Sequence, residues 1–310
     1  MAKKEQFFIP SSNGTSKLHV VIWKPEGEIR MVLQIAHGMI EHIGYYEKFA
    51  LWLVERGVAV AGHDHLGHGQ TVSGPEEFGF FGEKDGYLFL VKDLHRVRKA
   101  LESRLDPVPY VLMGHSMGSF LVRRYLTAFG SGLDGAILMG TGNQPGYQVR
   151  AGLTLAGICS LVFGAAYRSR TAQSLFRRVM NQRCLPVRTP MDWLSTDEEQ
   201  VDRYMEDRAC SFLFTCSGYR DLLRLVLDAE NTRLKKRIPP QLPLLLISGE
   251  EDPVGGYGKG VKKACRDYQK AGMEHVEMIL YPDCRHELVI EKNWEQVSAD
   301  IYQWMRKVTA

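Results

Sequence analysis

The sequence predicts an α/β fold, in which helices flank a mostly parallel central sheet and a helical segment is inserted near the middle. Short β-branched runs alternate with amphipathic helical patterns up to about residue 142, and the same alternation resumes at residue 243. Such alternation is typical of a parallel sheet that is covered on both faces. A chain of 310 residues, 45% hydrophobic and 24% charged, is long enough to bury such a core.

The predicted elements follow one another in a regular order. Strands rich in valine, isoleucine and leucine, bounded by turn residues, are expected at 18–23, 31–35, 58–62, 110–113, 135–139, 243–248 and 275–281. Helices with apolar residues three and four positions apart are expected at 41–56, 87–105, 117–129, 257–271 and 294–308.

The segment 143–237 interrupts this order, because its pattern is helical and contains no clear strand. It carries 15 Lys and Arg against 10 Asp and Glu, whereas the rest of the chain carries 24 against 26. We therefore predict one α/β core formed by residues 1–142 and 238–310, with residues 143–237 inserted as a basic helical cap.

Composition also bears on partners and location. A net charge of +3 gives no electrostatic basis for a nucleic-acid partner.

The N-terminal residues lack the apolar stretch of a secretory signal. No uncharged apolar run reaches the ~18–20 residues of a membrane-spanning helix. The six cysteines form no CxxC pair, which favours reduced thiols and predicts a cytoplasmic protein.

The strongest chemical signal is Gly114-His115-Ser116-Met117-Gly118, between a predicted strand and a predicted helix. A serine hydroxyl becomes a nucleophile when a base accepts its proton and a sharp turn exposes it. The G-x-S-x-G pattern between strand and helix supplies that turn, and the helix N-terminus favours developing negative charge. Ser116 is therefore the candidate nucleophile.

An acid and a base are expected to follow this serine along the chain, in the order Ser, Asp or Glu, His. Asp252 follows the strand at 243–248 and His286 follows the strand at 275–281. Both lie just beyond the carboxyl ends of their strands, where open α/β sheets bind ligands. Glu250 and Glu251 remain alternatives to Asp252, because spacing alone does not separate three neighbouring acids.

Two backbone N–H groups are needed to stabilise the oxyanion of a tetrahedral intermediate. The residue after the nucleophile, Met117, supplies the first candidate. The loop after the strand at 31–35 supplies the second, from Met39 or from the competing amide of Gly38.

Several segments together resemble one known group of enzymes. They are HGMIEH at 37–42, GHDHLGHG at 62–69, and the segments 114–118, 249–255 and 285–286. These enzymes form the monoacylglycerol lipase/lysophospholipase group, the serine-aminopeptidase-like branch of the α/β-hydrolase superfamily. The resemblance spans nearly the whole chain except 143–237, where that group carries a variable cap. It implies an α/β-hydrolase fold, Ser116 as nucleophile, Asp252 as acid, His286 as base, and Met39 and Met117 as oxyanion donors.

Other histidines near these segments allow different interpretations. His63, His65 and His68 form an HxHxxH pattern that can ligate zinc, but the acid of a metal-binding version is replaced by Gly67. A polar loop that hydrogen-bonds to itself is favoured, so no metal is expected. His37 and His115 are expected to hold the oxyanion loop in place.

The apolar run 151–166 lies within the predicted cap. One interpretation is a helix buried inside the cap. The other is a lid that lines an acyl-chain tunnel or transiently touches a membrane surface, with Leu153, Ile158, Leu161 and Phe163 as contacts, together with Leu155 and Val162.

These features predict a serine hydrolase that cleaves carboxylic esters of a lipid-like substrate, a monoacylglycerol or a lysophospholipid, without a cofactor. The same branch includes peptidases that act on N-terminal residues, so a peptidase is the main alternative. A metal-dependent hydrolase that uses the His63/His65/His68 loop is a further alternative.

Overall fold

The computed structural model describes residues 2–310 and contains an eight-stranded sheet. The strands, numbered along the chain, are β1 Ala2–Pro10, β2 Lys17–Pro25, β3 Met31–Ala36, β4 Val58–His63, β5 Tyr110–His115, β6 Gly135–Met139, β7 Leu244–Gly249 and β8 Val276–Tyr281. Their order across the sheet is β1-β2-β4-β3-β5-β6-β7-β8. The pairs β1–β2 and β2–β4 are antiparallel and every other pair is parallel. The predicted α/β class with a mostly parallel sheet is confirmed.

Helices cover both faces of the sheet. The helices, numbered along the chain, are α1 Glu47–Val54, α2 Gly86–Glu102, α3 Met117–Phe129, α4 Gly146–Phe163, α5 Arg170–Met180, α6 Glu198–Glu206, α7 Cys216–Glu230, α8 Thr232–Lys235, α9 Lys259–Lys270 and α10 Trp294–Val308. One buried cluster joins the sheet to α2, α3 and α9, and a second joins its other face to α1 and α10. The central strands β3, β5 and β7 are buried at every position, which explains their continuous apolar sequences.

The chain between β6 and β7 forms helices α4 to α8 and short 3₁₀ turns. Part of this segment has its own buried cluster, which includes Trp193, Leu194 and Tyr204. Helix α7 packs against α3, so the segment is also anchored on the sheet layers. None of the helices within residues 2–310 is both long enough and apolar enough to cross a membrane.

Two elements differ from the sequence-based prediction. Strand β1 was not predicted, because it lies at the sheet edge and its side chains alternate between exposed and half-buried. Such an edge strand lacks the apolar pattern of a buried strand. Helix α1 begins at Glu47 rather than at residue 41, because Ile40 has a positive φ of 60° and a 3₁₀ turn, Ile43–Tyr46, precedes the helix.

Candidate active site

Ser116 lies in the sharp turn between β5 and α3. Its backbone adopts φ 50° and ψ −118°, a strained conformation for a residue that is not glycine. The Ser116 N–H donates to the Met139 carbonyl at the end of β6, at 3.0 Å. The Ser119 N–H and hydroxyl both donate to the Ser116 carbonyl, at 2.9 and 2.6 Å. These bonds hold the serine at the carboxyl edge of the sheet.

The two glycines of the motif are required by close packing. A Cβ atom on Gly114 would collide with the carbonyl of Gly118. A Cβ atom on Gly118 would collide with the carbonyls of Ala36 and His37, at the end of β3. Glycine at both positions therefore lets α3 begin directly against the central strands.

Asp252 and His286 meet beyond the ends of β7 and β8. The Nδ1 atom of His286 lies 2.9 Å from Oδ1 of Asp252, and both side chains are buried. Asp252 also accepts hydrogen bonds from the Ser248 hydroxyl at 2.9 Å and from the Val254 N–H at 2.8 Å. Burial alone would raise the pKa of Asp252, but His286 and these donors outweigh burial and lower it. An ionised Asp252 therefore favours a proton on Nδ1 and leaves Nε2 as the basic atom of His286.

The competing acids are placed differently. Glu250 and Glu251 are both exposed to solvent. Their backbone N–H groups donate to the carbonyls of Tyr281 and Cys284, so these residues join the two loops through the main chain. Of the three neighbouring acids, Asp252 is the one hydrogen-bonded to His286.

The loop after β3 is held by histidines. His37 Nδ1 lies 2.8 Å from the Gly38 carbonyl, and its Nε2 accepts the His65 N–H at 3.0 Å. These partners require a neutral ring with its proton on Nδ1. Burial and the neighbouring histidines lower the pKa of His37, in agreement with that state. Met39, in the same loop, and Met117, the first residue of α3, both line the cavity beside Ser116.

A second buried network lies directly beside this centre. His115 Nδ1 lies 2.8 Å from Glu41 and 3.5 Å from Glu287. Tyr46 donates to the other oxygen of Glu41 at 3.0 Å. Burial opposes a charge on His115, but the two carboxylates outweigh it and raise the pKa of this histidine. The sequence analysis assigned no role to Glu41, which lies inside the segment 37–42, or to Glu287, which directly follows the segment 285–286.

The HxHxxH loop is packed rather than open. His63, His65 and His68 are buried, and Asp64 accepts hydrogen bonds from the backbone of Ile43 and Gln70, at 2.8 and 2.7 Å. Within residues 2–310, the groups whose ligand atoms are close enough to share one ion are His42, Asp207 and Cys210, and His115, His286 and Glu287. The three histidines of the loop are not among these groups. Within the loop, His65 Nδ1 lies 3.2 Å from His63 Nε2, and His68 Nδ1 lies 2.9 Å from the Leu66 carbonyl.

A largely apolar cavity of about 300 Å³ lies beside Ser116 and His286. Its core-side lining includes Met39, Ser116, Met117 and His286. The inserted segment closes it with apolar residues, which are Val149, Phe176, Val179, Met180, Met191, Trp193, Leu194, Leu222, Leu223 and Val226. The Trp193 ring lies 4.9 Å from the His286 ring, centroid to centroid. The buried Nε2 of His286 and Oε2 of Glu287 have no hydrogen-bond partner, and both residues line this space.

The structure corrects the predicted cap contacts. Leu153, Ile158, Leu161 and Phe163 lie on α4 but are not part of the cavity lining. Leu161 and Phe163 are 87% and 62% exposed. Helix α4 uses Val149 to reach the cavity and packs against α7, which leaves its remaining apolar faces toward solvent. A helix that is apolar all round has no sequence signal for the face that turns inward.

Comparisons with known proteins agree with this architecture. The serine aminopeptidase (S33) family model matches residues 27–293. Human monoglyceride lipase is 29% identical over 239 residues, which cover 74% of this chain and 68% of that protein. Monoacylglycerol lipase of Mycolicibacterium smegmatis is 24% identical over 288 residues, 92% of this chain and 91% of that protein.

A solved structure extends the match to the whole chain. The thermostable carboxyl esterase of Bacillus coagulans, in complex with glycerol, superposes with a TM-score of 0.92 at 27% identity and covers 99% of both chains. The resemblance to the monoacylglycerol lipase-like group is confirmed. The chain has the α/β-hydrolase fold and belongs to the serine aminopeptidase (S33) family.

Proposed function

We propose that this protein is a serine hydrolase that cleaves carboxylic esters of single-chain lipids, with a monoacylglycerol or a lysophospholipid as substrate. The observation that carries the proposal is the cavity itself. It brings a strained serine, a histidine oriented by a buried aspartate, and a largely apolar lining into one space. The names of the relatives support an ester as the bond cleaved.

We infer the following mechanism from the chemistry of these groups. His286 Nε2 takes the proton of the Ser116 hydroxyl, whose oxygen attacks the ester carbonyl. Asp252 holds the imidazole and stabilises its positive charge. The backbone N–H groups of Met39 and Met117 stabilise the oxyanion. The alcohol leaves with the proton from His286, and water, activated by the same histidine, releases the fatty acid from Ser116.

Substitution of the nucleophile tests this mechanism. Ser116→Ala removes the attacking oxygen, so we expect it to abolish hydrolysis of a p-nitrophenyl ester and labelling by a fluorophosphonate probe. Ser131→Ala is the matched control, because Ser131 is exposed and does not line the cavity. Mass spectrometry of the wild-type adduct should locate the probe on Ser116.

Two results would contradict the proposal. Undiminished ester hydrolysis by a folded Ser116→Ala protein would exclude the acyl-enzyme. Faster cleavage of aminoacyl nitroanilides than of esters by the wild type would favour a peptidase instead.

We further propose that residues 143–237 act as the lid of this site and that the outer face of α4 transiently contacts a lipid surface. Apolar side chains on this face are exposed, including Leu155, Ile158, Leu161 and Phe163. A Leu161→Ser/Phe163→Ser variant should then co-sediment less with lipid vesicles than the wild type, and equal binding would argue against the contact. The reduced thiols expected from the cysteine spacing favour a cytoplasmic location.

A further inference from the structure

A groove rich in arginine adjoins the catalytic cavity on the side of α5. Its volume is about 860 Å³, and its charged lining residues are Arg170, Arg177, Arg178 and Arg188. Among the described residues, no aspartate or glutamate lines it. The groove is therefore locally basic, although the whole chain has a net charge of only +3.

Helix α5 forms the wall between the groove and the catalytic cavity. Arg170, Ser174, Arg177 and Arg178 follow one another at helical spacing along the face toward the groove. Phe176, Val179 and Met180 belong to the lining of the catalytic cavity. The helix is thus divided between a cationic face and an apolar face.

The two spaces meet at shared residues. Gln173, Arg177 and Gln182 line both of them. Gln173 is buried, and its side chain donates to the Phe212 carbonyl at 3.2 Å, which fixes this part of the wall. Burial raises the pKa of Tyr204, which lines the cavity, and the Arg177 charge opposes that rise. Because Arg177 lines both spaces, its charge lies where the cavity and the groove meet.

Most of these charges are not neutralised by the protein. No hydrogen bond or ion pair within residues 2–310 engages the guanidinium groups of Arg170, Arg177 or Arg178. Arg188 differs, because it lies 2.6 Å from Asp202 and 3.7 Å from Glu198. Three guanidinium groups at one opening are consequently available for an anion from outside the chain.

We propose that this groove binds the phosphate of the substrate's alcohol moiety, so that the preferred ester is a lysophospholipid rather than a neutral monoacylglycerol. This inference rests on the proposed ester-hydrolase function of the adjoining cavity. The cavity provides apolar surface for one acyl chain, and the groove provides planar guanidinium donors that match phosphate oxygens. A neutral glycerol ester would use the cavity and leave the arginines without a partner.

A pair of soluble esters with the same acyl chain tests the selectivity. The substrates are 1-octanoyl-glycerol and 1-octanoyl-glycerol-3-phosphate, both below the concentration at which they aggregate. The ratio of kcat/KM for the phosphate ester to that for the neutral ester should fall about tenfold or more in Arg177→Gln, since a charge-assisted bond is lost. Arg150→Gln removes the same charge from exposed α4 outside both spaces and should keep the wild-type ratio.

A binding measurement separates this proposal from the catalytic one. Calorimetry with octyl phosphate uses the Ser116→Ala protein with and without Arg177→Gln, and we expect about tenfold weaker binding in the double variant. If the wild type cleaved neither ester, the proposed ester-hydrolase function would be wrong. The titration would still show whether the groove binds phosphate. Equal octyl phosphate binding by both proteins would overturn the inference. An effect of Arg177→Gln seen only on phosphatidylglycerol vesicles, and not on octyl phosphate or the monomeric ester, would assign the groove to a membrane surface and also overturn it.

Discussion

Asp252 shows how burial separates the chemistry of three neighbouring carboxylates. Glu250, Glu251 and Asp252 are adjacent in the sequence, yet only Asp252 is buried. A buried carboxylate needs partners, and His286, Ser248 and the Val254 N–H provide them. The exposed glutamates are solvated, so neither orients the imidazole of His286 as Asp252 does.

Removing the charge of Asp252 tests this difference. Asp252→Asn keeps the size of the side chain but favours the wrong tautomer of His286. We expect kcat for a p-nitrophenyl ester to fall by about 10³–10⁴-fold. Steady-state kinetics on the purified, folded variant provide the measurement.

Glu251→Gln is the matched control, since it changes an exposed acid in the same loop. Its activity should stay close to that of the wild type. A larger loss in Glu251→Gln than in Asp252→Asn would move the acid role to Glu251.

Helix α3 shows how strongly one glycine constrains an element. Gly118 lies in the first turn of α3, against the carbonyl groups at the end of β3. The strained φ of Ser116 and the close approach of Gly118 belong to the same turn, so the exposure of the serine depends on the packing of the helix.

We expect Gly118→Ala to destabilise the protein. Its added methyl group would collide with backbone atoms of Ala36 and His37, which cannot rotate away. Overpacking of this kind lowers the free energy of unfolding by about 1–3 kcal/mol. The change should appear as a lower midpoint in urea denaturation and as a loss of esterase activity, because the turn carries Ser116.

Gly157→Ala is the control within another helix. A Cβ atom at Gly157, in α4, would meet no atom within 4 Å. The substitution should therefore raise helix stability by up to about 1 kcal/mol. Equal destabilisation by both substitutions would contradict the packing argument.

At the scale of elements, sequence patterns predicted the buried strands well and missed the exposed edge strand β1. Strands β3 and β5 are buried at every position and read as continuous apolar runs. Strand β1 has no such run, because half-buried and exposed side chains alternate along it. Helix α4 shows the same limit, since its apolar residues outnumber the positions that its neighbours can cover.

The core and the inserted segment are joined through a buried arginine. Arg123, on α3, donates to the Gly142 carbonyl at 2.7 Å, where the insertion begins, and to the Ala229 carbonyl on α7 at 2.9 Å. It also donates to the Tyr268 hydroxyl on α9 at 2.9 Å. One side chain thus links both ends of the insertion to the sheet layers.

Arg123→Met should loosen this connection. The substitution keeps an apolar stem but leaves the carbonyls of Gly142 and Ala229 buried without these donors. Loss of several charge-assisted bonds should lower the free energy of unfolding by about 2–4 kcal/mol. Thermal and urea denaturation would measure the change.

Arg124→Met is the neighbouring control. Arg124 pairs with Asp228 at 2.9 Å, and both side chains are partly exposed. A pair in contact with water contributes at most about 1 kcal/mol. Comparable destabilisation by the two substitutions would contradict a special role for Arg123 in joining the insertion to the core.

The sequence by itself determined the α/β class, the position of the helical insertion and the residues Ser116, Asp252 and His286 as candidates. These depend on local patterns, namely buried apolar runs, glycine in a tight turn and polar residues directly after strands. The tertiary structure decided which acid meets His286, which face of the insertion closes the cavity and where the arginines of α5 collect. Those features depend on contacts between segments that are far apart in the chain. A local sequence pattern carries no information about which distant residue a buried group will contact.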